Sequence, residues 1–429
     1  MIREQADTPP RPRPAPLWLR PLAGALERLR AGELLLTTPD GQEYLFRGHR
    51  PGPAAALHIR HPRLLPRLLL GGDLGLAEGY LRGEWDSPDP AALLELGAVN
   101  EAALAPALRP GAPARLLAAL RHRLHPNSRR GSRRNIMAHY DLGNGFYRQW
   151  LDGTMTYSAA RFSRPGMGLA EAQTEKYRLL LEQLAPAPGS HLLEIGCGWG
   201  GFAEHAARAG HRVTGITLSP AQLEFARERI RRAGLAERVE LRLQDYRDLT
   251  GSFDHAVSIE MFEAVGEAHW STYFRRLRAV LRPGGRAALQ VITIDGAAYS
   301  SYRRNPDFIQ LHVFPGGMLP SPEAFRAGAQ AAGLRVAAER FDGSDYAETL
   351  ARWTRRFHRA ADAVRAQGFD RRFLRLWRYY LAYCEAGFRS GRIDLLRTVL
   401  ERPAWPPYRG GPTHSTPRRR DTGIARNQA

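Results

Sequence analysis

Residues 191–201 read His-Leu-Leu-Glu-Ile-Gly-Cys-Gly-Trp-Gly-Gly, an apolar run that ends on a carboxylate and breaks into glycines. The run HLLEIG suits a buried strand, and GFAEHAARAG, which follows, suits a helix. A glycine turn between strand and helix lets the backbone approach a ligand, and the helix N-terminus offers free N–H groups. Gly196, Gly198 and Gly201 fit the dinucleotide spacing G-x-G-x-x-G, which alone is a weak signal. A dinucleotide site would add an acidic residue about 20 positions on, to hold the ribose. Here the next strand ends in Gly215-Ile216-Thr217-Leu218, without a carboxylate, and NAD is disfavoured. Glu194, directly before the loop that Gly200 completes, suits the cationic amino-acid end of S-adenosylmethionine instead. Asp245-Tyr246, after RVELRLQ, stands where such folds meet the adenine. Cys197 reads as a small filler, because no base lies beside it in sequence.

Working outward, HLLEIG, HRVTGIT, RVELRLQ, DHAVSIE and RAALQVIT are candidate strands separated by helical segments. That alternation predicts an α/β domain over 135–405 with a mainly parallel, doubly wound, Rossmann-like sheet. A smaller α+β domain over 17–121 precedes it. Its stretch GELLLTTPDGQEYLFRG predicts a hairpin around Pro39-Asp40-Gly41, and Ala91–Leu120 reads as helical. This part carries no catalytic constellation and reads as a lipid- or partner-binding module, with a purely structural role also open. Residues 122–134 form a basic linker, and the tails 1–16 and 406–429 lack any core-forming pattern.

Composition narrows the function classes. The chain has 429 residues, 43% hydrophobic and 24% charged, as a globular protein does. It contains no run near the roughly 20 apolar residues of a membrane-spanning helix. Its start lacks the apolar core of a secretory signal, so cytoplasmic residence is the default expectation. Two cysteines, Cys197 and Cys384, offer neither a disulfide framework nor a zinc site, and no metal is expected. The net charge of +19 is carried by arginine, Lys176 being the only lysine. Such a surplus attracts nucleic acid or anionic lipid, or reflects compositional bias alone.

From about Ala138 to Leu400 the sequence resembles the cyclopropane-fatty-acyl-phospholipid synthase family, which includes the mycolic acid cyclopropane synthases. The blocks that carry the resemblance are His139-Tyr140-Asp141-Leu142-Gly143-Asn144, Met155-Thr156-Tyr157-Ser158 and the glycine loop with Thr217-Leu218-Ser219 and Gln222. Further on come Met261-Phe262-Glu263-Ala264-Val265-Gly266, Phe314-Pro315-Gly316-Gly317 and Asp345-Tyr346 ahead of Thr349-Leu350. The resemblance implies a class I S-adenosylmethionine methyltransferase fold, with Tyr157, Ser158, Gly196, Gly198, Thr217, Leu218 and Gln222 at the cofactor. It also implies a bicarbonate base, held in the family by a glutamate, a histidine, a tyrosine and the backbone beside a cysteine. Glu263 and Tyr346 match the glutamate and the tyrosine. Two positions depart: Ala159 replaces the cysteine, and Gln290, a hydrogen-bond donor that never carries charge, replaces the histidine. Cys384 matches a second cysteine found in some members.

The implied reaction adds a methylene from S-adenosylmethionine to the double bond of an unsaturated phospholipid acyl chain. An isolated alkene is a weak nucleophile, and its attack on the sulfonium methyl leaves a carbocation that aromatic faces can stabilise. Tyr346, Tyr140 and Phe314 are the candidates. Proton loss from the new methyl closes a cyclopropane. A hydride shift, or proton loss from the chain, gives a branched product, and a methylene product would require a partner reductase. Ala159 and Gln290 keep this alternative open. Glu260 and Glu267 are expected as surface or first-turn carboxylates, and His139 and His312 are weaker candidates for a base. The insert Tyr302–Leu319 and the C-terminal helices should cover the sheet, with Phe308, Ile309, Leu311, Val313 and Phe314 as candidate walls of an acyl tunnel. The expected setting is peripheral, at the anionic inner membrane surface, and a homodimer is left open. A nucleic-acid methyltransferase has no use for the Phe-Pro-Gly-Gly and Met-Phe-Glu-Ala-Val-Gly blocks. A non-catalytic lipid scaffold would not need so complete a glycine loop.

Overall fold

The computed structural model describes residues 14–108 and 142–404. Its larger sheet comprises β5 (His191–Ile195), β6 (Arg212–Thr217), β7 (Val239–Leu243), β8 (Phe253–Ile259), β9 (Leu281–Ile294), β10 (Arg335–Phe341) and β11 (Ile393–Glu401). The order across the sheet is β10-β11-β9-β8-β5-β6-β7. β7, β6, β5, β8 and β9 run parallel, and β11 lies antiparallel to both β9 and β10. Helices carry the crossovers, Gly201–Arg208 between β5 and β6 and Pro220–Arg232 between β6 and β7. They cover the sheet faces, so Leu192, Leu193 and Ile195 of β5 are buried with no polar alternation. The chain leaves β5 toward β6 and β7, then returns to build β8 on the other side. The crevice beyond the ends of β5 and β8 is therefore the switch point where such sheets hold ligands.

All five strands expected from the sequence are present. β10 and β11 were not expected, and β11 is a correction to a C-terminus read as helical. The helices Gly343–Arg359 and Arg371–Arg389 do cover the sheet, but the chain then re-enters it. β11 is buried through six consecutive residues, Leu395–Leu400, which include Arg397 and Thr398. Those polar residues break the apolar signature that would have announced an inner strand.

The N-terminal part is a four-stranded sheet of β1 (Ala31–Thr37), β2 (Glu43–Arg47), β3 (Arg50–Ile59) and β4 (Trp85–Asp86) in the order β2-β1-β3-β4, with helices Leu64–Leu81, Pro90–Val99 and Glu101–Leu108. β1 and β2 form the expected hairpin, pairing Leu36 with Tyr44. The stretch expected to be helical from Ala91 is so up to Leu108. Residues 109–141, which include the expected basic linker, His139 and Tyr140, lie outside the described residues. Both parts share one continuous core, running from Leu19 and Trp85 through Trp150 and Trp353 to Leu395. Arg375, on the helix Arg371–Arg389, joins them. Its guanidinium donates to the carbonyls of Tyr80 and Trp85, pairs with Asp86 at 2.8 Å and sits over the Tyr80 ring.

Candidate active site

The glycine loop turns sharply off β5. Gly196 has φ +86°, and its N–H donates to Ile216 O, tying the loop to β6. A Cβ on Gly196 would stand 3.0 Å from Met261 Cγ, whereas Gly198 (φ +49°) faces open space. Gly200 takes the left-handed conformation at the N-cap of the helix Gly201–Arg208. Glu194 is buried at the end of β5, and its Oε2 has no hydrogen-bond partner among the described residues. Burial pushes its carboxyl well above the ordinary range. An unpaired buried acceptor is costly unless a ligand completes it. Across the loop, Thr217 Oγ1 donates to Gln222 Oε1 at 3.1 Å, and Ser219 caps the helix that carries Gln222.

These groups line a cavity of about 1440 Å³ that runs from the glycine loop across the end of β8 to the N-terminal helices. Met155–Ser158 form one wall, the insert supplies Ile309 and Phe314, and the helix Arg371–Arg389 supplies Tyr380, Cys384 and Phe388. Leu68, Leu74 and Leu93 close the far end. The N-terminal part thus contributes apolar surface to the same space.

At the centre stands Glu260, the residue after β8. Its Oε1 accepts from the Ala159 backbone N–H at 2.8 Å and from Gln290 Nε2 at 2.7 Å, and its Oε2 accepts from Tyr346 OH at 2.6 Å. Gln290 lies on β9, fully buried, and its own Oε1 accepts from Arg397 Nε at 2.9 Å. Arg397 in turn bonds Asp342 at 2.9 Å, and Arg161 pairs with Asp345 at 2.7 Å, fixing the helix that bears Tyr346. The Glu260 backbone has φ +50°, a left-handed conformation that costs a non-glycine residue about 1–3 kcal/mol. Enclosure pushes its carboxyl up, while Lys176, Tyr346, the Ala159 N–H and Gln290 draw it back. Lys176 is itself buried, donates to Ser158 Oγ at 2.6 Å and has its ammonium pushed down to about 7 by burial. Glu263 accepts from the Ile292 N–H, but its other oxygen is buried without a partner among the described residues. Burial first, and Glu260 second, push its carboxyl up to about 8.

Aromatic rings surround this centre. Tyr346 stacks on Phe388 at 4.4 Å between ring centroids, and the Tyr157 and Tyr380 hydroxyls share a hydrogen bond of 2.6 Å. Phe314 approaches Tyr380 edge-on.

Residues 127–398 match the mycolic acid cyclopropane synthetase family. The chain belongs to that family. It is 41% identical to a tuberculostearic acid methyltransferase of Mycobacterium tuberculosis, over 81% of this chain and 84% of the relative. It is 34% identical to the cyclopropane-fatty-acyl-phospholipid synthase of Escherichia coli K12, over 81% and 88%. Two solved structures, a cyclopropane synthase of Mycobacterium tuberculosis and a mycolic acid cyclopropane synthase complexed with SAH and CTAB, each superpose with a TM-score of 0.59 at 30% identity. Each covers 63% of this chain and 98% of its own. As a member of the cyclopropane synthetase family the protein is an S-adenosylmethionine-dependent methyltransferase, and its larger sheet is the class I fold of such enzymes.

Within this family member the structure gathers most of the expected residues. Tyr157, Ser158, Glu194, Gly196, Gly198, Thr217, Leu218, Gln222 and Tyr246 all line the cavity, as do Glu263 and Tyr346. Asp245 does not: its carboxylate lies on Arg247 at 2.6 Å. Gly200 shapes the turn without lining the cavity. Of the expected tunnel residues only Ile309 and Phe314 face the space; Phe308 packs on Tyr379, and Val313 is buried in the core. His312 stacks on Phe308 and does not reach the cavity. The largest correction concerns Glu260, expected at the surface and found at the centre; Glu267 does pair with Arg303 as a surface carboxylate would. Sequence reading also missed Tyr380, Phe388 and Lys176. Tyr380, Cys384 and Phe388 recur at i, i+4 and i+8, a readable helical stripe. Lys176 carried its own signal as the only lysine in an arginine-rich chain.

Proposed function

We propose that the protein transfers the S-adenosylmethionine methyl group to the double bond of an unsaturated phospholipid acyl chain, and that the product is a methyl- or methylene-branched chain. The observation that carries the reading is the continuous cavity, which joins the glycine loop to an apolar, aromatic-walled space through a single carboxylate centre. S-adenosylmethionine supplies an electrophilic methyl. Glu194 Oε2, the loop backbone at Gly198, and Tyr157 and Ser158 would hold the cofactor's amino-acid end. Thr217, Leu218, Gln222 and Tyr246 would hold its nucleoside. The alkene attacks the methyl, a C–C bond forms as the C–S bond breaks, and the neighbouring chain carbon becomes cationic. Tyr346, Tyr380, Phe388 and Phe314 line this region, and aromatic faces favour positive charge. The apolar walls exclude the water that would trap the cation. Proton loss then ends the reaction.

Branching is supported by the 41% identity to a tuberculostearic acid methyltransferase and by Ala159 and Gln290, the two departures at the centre. Ring closure is the second reading, supported by the E. coli synthase at 34%. The net charge of +19 supports docking on an anionic membrane surface. The test is expression in a host without its own cyclopropane synthase, followed by mass spectrometry and gas chromatography of phospholipid fatty acids. Chains heavier by one CH2 that co-elute with branched or methylene standards support the proposal. Cyclopropane standards would select the second reading, and unaltered chains would overturn both.

A further inference from the structure

The three donors that face the centre, the Ala159 N–H, Gln290 Nε2 and Tyr346 OH, are all taken by the two oxygens of Glu260. In the family these positions, with a cysteine and a histidine in place of Ala159 and Gln290, are implied to hold bicarbonate. A second anion there would find no donor left among these three and would stand against a carboxylate. Bicarbonate therefore does not fit this centre. We propose that Glu260 is a built-in replacement for the exogenous base, taking the proton that ends the reaction, so that the enzyme works without bicarbonate.

Three further observations bear on this. Glu260 holds a left-handed backbone conformation that favours glycine, and strain of this kind persists where the surroundings enforce it. Gln290 suits a fixed carboxylate: it donates to Glu260 while accepting from Arg397, which a protonated histidine could not do. Glu263, the carboxylate matched to the family's glutamate, gives one oxygen to the Ile292 N–H and carries a raised pKa, so it suits the neutral form beside an ionised Glu260.

The step balances without a further reactant. A C–H bond beside the carbocation breaks, and its electron pair forms the new C–C σ bond of a ring or the π bond of a branched alkene. The proton joins a Glu260 oxygen and passes to water as product leaves. The inference rests on the proposed methylation for its kinetic arm only.

The experiment uses the full-length protein with S-adenosylmethionine and vesicles of unsaturated phospholipid, in buffer stripped of carbon dioxide and then supplied with bicarbonate. Wild-type turnover should be the same in both. Glu260→Gln should fall about 100- to 10,000-fold, the usual worth of a general base, while still binding S-adenosylmethionine by calorimetry. Glu260→Gly relieves the backbone and opens the anion space, and added bicarbonate should restore part of its activity. Line broadening of 13C-bicarbonate by NMR should be seen with Glu260→Gly and not with wild type. Wild-type turnover that requires bicarbonate, or bicarbonate broadened by wild type as strongly as by Glu260→Gly, would overturn the proposal. If wild type turns over no lipid, the methylation reading fails, and the NMR comparison still decides whether Glu260 occupies the anion site. If Glu260→Gly does not bind S-adenosylmethionine, Glu260→Gln and the wild-type bicarbonate series decide it.

Discussion

Replacing Gln290 with Ala should unhinge the carboxylate centre, and the structure sets the size of the effect. The amide makes one bond to a carboxylate, Nε2 to Glu260 at 2.7 Å, and takes one from a guanidinium, Arg397 Nε to Oε1 at 2.9 Å. Hydrogen bonds to charged groups contribute about 1.5–3 kcal/mol each, so a simple sum is about 3–6 kcal/mol. Both charged partners keep other contacts, Glu260 with Tyr346 and Ala159, Arg397 with Asp342 and the Ala160 carbonyl. The loss should therefore fall near the lower end, about 3 kcal/mol, a large share of the 5–15 kcal/mol typical of a folded protein. Gln290→Met separates the causes, because it keeps most of the volume and removes the polar atoms. Denaturant unfolding followed by tryptophan fluorescence, with Trp150, Trp353 and Trp377 in the adjoining core, measures both variants. Met should recover less than half of the loss caused by Ala. A loss below about 1 kcal/mol for Ala, or full recovery by Met, would refute the claim that this amide couples the two charges.

Variants at two other positions test the surroundings of the centre. Glu263 holds its proton to about pH 8 in the folded protein, whereas an unfolded glutamate releases it near 4.5. The unfolded state thus binds fewer protons across that interval, and this group's stabilisation is lost as pH rises from 4.5 through 8. Glu263→Gln should flatten the fall, and denaturation midpoints of both proteins between pH 5 and 9 would show it; parallel curves would contradict it. Arg375→Ala should cost about 3–5 kcal/mol, since it strips a buried charge-bonded anchor from two carbonyls of the N-terminal part. Limited proteolysis should then cut the N-terminal part sooner, and Arg375→Lys should recover little, because an ammonium lacks the guanidinium fork.

What the sequence revealed follows from where its signals lie. The strands of the larger sheet from β5 to β9 are apolar runs bounded by turns, and the glycine loop announces its backbone geometry through residue type alone. β10 escaped notice because it is an edge strand without a buried residue, and Arg335, Glu339 and Arg340 interrupt its apolar positions. β11 escaped because Arg397 serves the active centre from inside the sheet. The family match located Glu263, Tyr346 and Gln290 in sequence but could not show that a neighbouring residue had taken the place of the anion. Glu260 looked like a surface charge because burial of a carboxylate depends on donors from β9, from the segment after Tyr157 and from the helix of Tyr346. These positions are 30, 101 and 86 residues away along the chain, and only the fold brings them together.

Lys176 also makes the protein its own reporter. Apart from the α-amino terminus, its ε-amino group is the only primary amine in the chain, and it is enclosed at the catalytic centre. Amine-directed reagents, which in most proteins decorate the surface at many places, have one internal target here. That target is held near pH 7 in its ionisation and so is partly nucleophilic under ordinary conditions. Acylation at this position therefore records how often the interior opens to solvent. Its slowing when an acyl chain or S-adenosylmethionine occupies the cavity would turn a routine labelling reaction into a clock for conformational gating.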